Sequence, residues 1–221
     1  MSRDDIARRI ARQLPTRFLQ GYASAKIRTD PVYAAVAESL KRSSAPIFDI
    51  GCGIGLMEFY LRESGLTIPI VGIDHDVKKV EVAKKAGAHY DGLEFRAGDA
   101  REAIPAGSVL ALDVLHYFTN EGQTAMARAI AGAVPPGGVA IIRDAIRDGS
   151  LRYRLTALQE TFARAIFWLK AERLNFPTRE SIEAPFREQG FEVEVQPLWG
   201  RTPFNNYLFV FRRPASGSTS A

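Results

Sequence analysis

The sequence predicts a doubly wound α/β fold, a sheet of mainly parallel strands covered by helices on both faces. Three observations carry that expectation. From residue 46 onward, short apolar runs alternate with amphipathic segments; the first run ends in a glycine cluster; and no internal repeat or linker interrupts the series. With 221 residues and 46% hydrophobic composition, the chain can bury the core such a sheet needs within one globular domain.

The elements follow in order. Ile6, Ile10 and Leu14 recur every four residues, an amphipathic helix with an arginine-rich outer face that Pro15 ends. Residues 17–28 are mixed in character. Thr29-Asp30-Pro31 reads as a cap with proline at the first helical position, opening a helix to about Leu40. The period changes at Pro46, and Ile47-Phe48-Asp49-Ile50 has the pattern of a buried parallel strand. Strands are then expected at 68–74, 93–96, 108–113 and 138–143, and helices at 55–64, 76–86 and 121–133. A long helix over 150–173 places Leu151, Leu155, Leu158, Phe162, Ile166 and Leu169 on one stripe. Pro177-Thr178 opens another helix ending near Gly190, and strands Phe191–Val195 and Tyr207–Arg212 close the sheet. This divides the chain into a helical cap segment (1–45), a core (46–213) and a small, polar tail (214–221) expected to be disordered.

Charge and composition exclude several classes. Lys+Arg 29 against Asp+Glu 25, a net charge of +4, is far from polybasic, so nucleic acid is not expected as a partner. Arginines near the N-terminus and between Arg147 and Arg173 read as solvated helix faces, or as attraction to an anionic acceptor, carrier or membrane surface. No stretch approaches the roughly 18 apolar residues of a membrane span, and no leader pattern opens the chain, which predicts a cytoplasmic protein. The single cysteine, Cys52, forms no intramolecular disulfide, and histidines at 75, 89 and 116 show no metal-ligand spacing, so no metal is expected.

The strongest local signal is FDIGCGIGLMEFYLR, with Gly51, Gly53 and Gly55 between a strand and a helix. Glycines there permit a tight turn and close approach of a ligand to amides at a helix N-terminus. The next strand, IPIVGID, ends in Asp74, nineteen residues after Gly55, where a carboxylate can accept both hydroxyl protons of a ribose. A dinucleotide fingerprint would need a third glycine at position 56, which is Leu56.

With G-x-G-x-G and Asp49 two residues before it, the segment resembles the first motif of class I S-adenosylmethionine-dependent methyltransferases. Asp99 in RAGDA, Asp113 in DVLHY and the run VPPGGVAIIRD resemble later motifs of that family, in order, over about residues 46–144. The resemblance implies a Rossmann-like sheet of seven strands whose last strand is antiparallel, and S-adenosyl-L-methionine as cofactor. It further implies that Gly51, Gly53 and Gly55 line the amino-acid end, with Cys52 as a small packing residue among them. Asp74 would meet the ribose, His75 would flank the adenine, Asp99 and Ala100 would read its edge, and Asp113 would lie beside the methionine portion. Asp49 would bond the loop amides or the ligand. Tyr22 and Lys26 precede the first strand, where relatives fold a cap over the cofactor, and either could bond its carboxylate. A magnesium site like that of catechol methyltransferases would need an Asp-Asn pair after Asp144, which the sequence lacks.

His116, Asp144 and Arg201 are the candidate catalytic residues. His116 follows the fourth strand, where ligands sit in open α/β sheets, and serves either as a general base or as a pocket-shaping residue. Asp144 ends the fifth strand on the same face. The loop PLWGRTPFNN offers Trp199, Phe204, Arg201, Asn205 and Asn206, suited to an aromatic acceptor bearing a hydroxyl or carboxylate, or simply closes the sheet edge. PLWGRTPFNNYLFVFRRP, GYASAKIRTDP and RDAIRDGSLRYRLT are similar to methyltransferases of bacterial aryl polyene pigment pathways, which implies a phenolic acid or its carrier-bound form, methylated on carbon or oxygen. Two alternatives stand beside this: a nicotinamide-dependent oxidoreductase, and an S-adenosylmethionine-binding protein without catalysis, which would lack an acceptor pocket.

Overall fold

A computed structural model describes residues 1–154, 174–200 and 204–215. Helix is present at 151–154, and the rest of the expected long helix lies outside the described residues, as do Arg201 and the end of the tail.

Three helices precede the sheet. In α1 (Arg3–Gln13), Ser2 and Asp5 form a capping box, and Ile6, Ala7, Ile10 and Ala11 are buried. The mixed stretch after Pro15 is a helix, α2 (Arg17–Thr29), capped by the Thr16 side chain. Its period is obscured because only Ala23 and Ile27 are buried there, while Tyr22 and Lys26 face a cavity. Helix α3 (Val32–Leu40) begins one residue after Pro31, and Asp30 Oδ1 accepts from the Val32 amide at 3.0 Å.

Beyond them come β1 (Ile47–Ile50), α4 (Leu56–Glu63), β2 (Ile70–Asp74), α5 (Val77–Gly87), β3 (Leu93–Ala97) and β4 (Ser108–Leu112). A 3₁₀ turn at Leu115–Tyr117 leads to α6 (Asn120–Ala133) and β5 (Val139–Ala145), and α7 (Arg179–Arg187), β6 (Glu192–Pro197) and β7 (Asn206–Arg212) complete the chain. The seven strands are ordered β3-β2-β1-β4-β5-β7-β6. Neighbours are parallel from β3 through β5, and β7 runs antiparallel between β5 and β6. The expected α/β sheet with its antiparallel last strand is therefore the architecture observed.

Alternation along each strand divides the core between two faces. Ile47, Leu110, Ile141, Leu208 and Val210 pack with α1 to α5, whereas Phe48, Val109, Ile142, Phe209 and Phe211 pack with α6 and α7. Burial on both faces is why these strands read as continuous apolar runs. The order reverses between β1 and β4, and that switch point opens the crevice in which such sheets bind ligands. Among the described residues, no helix is long and apolar enough to cross a membrane.

Candidate functional site

At the carboxyl ends of β1, β2 and β4 a cavity of about 310 Å³ opens. Its walls bring together Asp49, Gly51, Cys52, Gly53, Asp74, His75 and Asp113, with Tyr22 and Lys26 from α2 above them. Lys79 on α5 and Tyr117, the last residue of the 3₁₀ turn, also line it, although the sequence reading singled out neither.

The glycines take different parts. All three have positive φ, at 78°, 58° and 84° for Gly51, Gly53 and Gly55. A Cβ on Gly53 would meet nothing within 4 Å, so this backbone borders open cavity. A Cβ on Gly55 would instead stand 2.8 Å from Phe59 and 2.9 Å from Phe95. Gly55 thus serves helix packing behind the loop rather than the cavity wall.

Asp74 holds the loop. Its Oδ2 accepts from the Gly53 amide and its Oδ1 from the Asp76 amide, each at 2.8 Å. Each oxygen keeps a second lone pair for a ligand donor. Asp49 does not bond the loop amides: it is buried, and its Oδ1 meets no donor. Cys52 is buried, and burial pushes its thiol up, so it stays protonated. His75 is exposed beside Asp74. Asp99 is bound by the Arg101 guanidinium, which holds its carboxyl below the usual range. Neither Asp99 nor buried Ala100 lines the cavity.

A second chamber of about 540 Å³ shares Tyr22, Lys26, Asp113 and Tyr117 with the first. Here the structure joins two catalytic candidates. His116 Nδ1 lies 2.8 Å from Asp144 Oδ1, and the His116 amide donates to Oδ2 at 3.2 Å. Asp144 is fully buried and also accepts from the Ala145 amide at 2.8 Å. Phe176 and Tyr117 flank the imidazole, with ring centroids 5.8 Å and 4.3 Å away. Phe204 and Asn206 reach this chamber, whereas Asn205 is buried with its amide donating to the Ile146 carbonyl at 2.8 Å. Trp199 is edge-on to Tyr207 beneath the Arg152 guanidinium and is absent from the described walls.

Arg143, which the sequence reading passed over, is buried in this chamber wall and pairs with both Asp30 and Asp113. The available signal was a cation inside the apolar run VAIIRDA. Asp113 has φ 60°, in the left-handed region uncommon outside glycine, and its place at the rim of both cavities is held by that ion pair.

Comparison with known proteins gives the family. The chain is 28% identical over 185 residues to a demethylmenaquinone methyltransferase of Deinococcus radiodurans, covering 75% of each. It is 26% identical over 155 residues to a trans-aconitate 2-methyltransferase of Sinorhizobium fredii, covering 68% of this chain and 59% of that one. Among solved structures, magnesium protoporphyrin IX methyltransferase from Synechocystis PCC 6803, determined with bound SAH, superposes with TM-score 0.66 at 22% identity, over 94% of this chain and 93% of that one. A family model described as a methyltransferase domain matches residues 9–196, and the chain belongs to that family.

Proposed function

We propose that this protein transfers a methyl group from S-adenosyl-L-methionine to a small acceptor held in the His116 chamber, an aromatic acid or phenol in free or carrier-bound form. The observation that carries this reading is the adjoining chamber itself, where a His–Asp pair and aromatic walls border the glycine-loop cavity. A binding protein without catalysis would have no need of it.

The first cavity fits the cofactor. Open space at Gly53 admits a ligand against the backbone, Asp74 retains acceptor capacity for ribose hydroxyls, and Asp49 and Asp113 offer carboxyls to cationic groups. Lys26 and Tyr22 suit a carboxylate, and His75 borders the adenine end. When bound, S-adenosyl-L-methionine supplies a methyl group already activated by its sulfonium. The protein's task is to position the acceptor, exclude water and take its proton.

His116 and Asp144 serve that last task. The buried carboxylate fixes the proton on Nδ1, leaves Nε2 as the acceptor nitrogen, and stabilises the imidazolium that forms. A phenol with pKa near 10 gains nucleophilicity from such a base. Tyr117, Phe176 and Phe204 give the ring an apolar seat. Arg201, which lies outside the described residues, is by its sequence position between β6 and β7 the candidate partner of an acceptor carboxylate. The relatives' names span different acceptors, which supports a small molecule and selects none. The likeness to aryl polyene methyltransferases favours a phenolic one.

Calorimetric titration with S-adenosylhomocysteine and with NAD tests the cofactor, and binding of NAD alone would sink the assignment. A screen of hydroxylated aromatic acids against aliphatic acids tests the acceptor. Methylation of aliphatic acids only would overturn the aromatic half and leave the methyltransferase reading intact.

A further inference from the structure

Beneath the glycine loop lies a pair of carboxyls of which only one borders a cavity. Glu58, in the first turn of α4, is fully buried, and neither of its oxygens meets a hydrogen-bond donor. Asp49, on β1, is buried with Oδ1 likewise unmatched, and it borders the cofactor cavity. The fold makes room for Glu58 in particular. Gly72, opposite Asp49 in the sheet register, would place a Cβ 2.6 Å from Glu58 Oε1 and 2.7 Å from Cys52 Cβ, so a larger residue on β2 would evict the carboxyl.

Two carboxyls in one dry site cannot both ionise without a nearby cation. Burial pushes Glu58 up to about 7, and burial together with Glu58 pushes Asp49 well above the usual carboxylate range. The groups facing the pair do not relieve it. On the loop stands the protonated Cys52 thiol, and on β2 the Asp74 carboxylate. Lys26, Lys79, His75 and Asp113 stand on the cavity walls, and among the described residues no cationic side chain pairs with Asp49 or Glu58.

Resting on the cofactor reading above, we propose that Asp49 and Glu58 share one proton in the ligand-free protein and release it to solvent when a cationic cofactor enters, making Glu58 a positioning residue for cofactor binding. The released proton is the only change in bonding. A cation favours the ionised pair, so the bound state holds fewer protons, and affinity rises with pH until the free pair has titrated.

The test is calorimetric titration of the full chain with S-adenosylmethionine, in buffers of high and low ionisation enthalpy, from about pH 6 to 8. Proton release is expected, with the apparent Kd falling by up to about tenfold per pH unit below the pair's titration and levelling above it. Glu58→Gln, nearly isosteric, should bind while losing both effects, and His75 and Cys52 remain in the variant, so the difference isolates the pair. Should that variant not fold, Asp49→Asn reads the same difference. Buffer-independent heat in the wild type, or undiminished release in the variant, overturns the proposal. A wild type that takes up no S-adenosylmethionine overturns the cofactor reading and this coupling with it. Independently of any cofactor, the ligand-free chain at neutral pH should show an infrared band of a protonated carboxyl that Glu58→Gln removes, and its absence also overturns the proposal.

Discussion

The Arg143 guanidinium stands 3.0 Å from the Asp30 carboxylate, although 113 residues separate them in the chain. One nitrogen thus ties the start of α3 to the end of β5, while another holds Asp113 at the rim of both cavities. The helices before the sheet and the site they cover share this buried cation.

Replacing Arg143 with alanine leaves Asp30 uncompensated in a buried wall and releases Asp113 from its left-handed conformation. Breaking a buried pair in this way costs about 3–5 kcal/mol. Urea unfolding of Arg143→Ala should show a loss in that range, and a change under 1 kcal/mol would mean that the triad is solvated like a surface pair.

Gly53 and Gly55 should fail differently. Gly53→Val puts a branched side chain at φ 58° into the cavity, so cofactor binding disappears by calorimetry while the domain still folds. Gly55→Ala drives a methyl into Phe59 and Phe95, a packing clash costing about 1–3 kcal/mol, visible first as a lowered Tm.

Asp74→Asn keeps the shape but weakens both the ribose contact and the acceptor for the Gly53 amide. S-adenosylmethionine affinity should fall about ten- to a hundredfold, since a hydrogen bond to a charged group is worth about 1.5–3 kcal/mol. Unchanged affinity in a folded variant removes the ribose assignment.

For the His–Asp pair the informative measurement is the split between steps. His116→Ala should lower turnover about 10²–10⁴-fold with little change in cofactor affinity, and Asp144→Asn should lower it through the wrong tautomer. Parallel loss of cofactor binding and turnover would make His116 a pocket-shaping residue only.

The buried carboxyl pair also predicts a pH dependence of stability in the ligand-free protein. Glu58 titrates near 4.5 when unfolded and is raised to about 7 in the fold. The native state therefore binds more protons than the unfolded chain between those values, so stability falls as pH rises through that window, and it goes on falling above it for as long as Asp49 keeps its proton. The loss is on the order of 3 kcal/mol. Glu58→Gln should flatten it, and identical urea midpoints against pH for both proteins would refute the assignment.

Much of this was legible in the sequence because it is local. The apolar strand runs, the glycine turn and the nineteen-residue spacing to Asp74 depend on neighbours in the chain, and they placed the sheet and part of the walls of the first cavity, while Gly55, Asp99 and Ala100 fall outside those walls. Helix α2 was illegible, since a helix that buries only Ala23 and Ile27 and turns Tyr22 and Lys26 to a cavity shows no apolar stripe. What tertiary structure alone decided is which charges meet. His116 and Asp144 were separate candidates 28 residues apart, and they became a pair because β5 lies beside β4 and its end faces the turn after it. Asp30 with Arg143, and Asp49 with Glu58, meet for the same reason. Propensity and periodicity record how each segment packs, whereas a buried charge is stabilised by whatever partner the completed fold brings within reach.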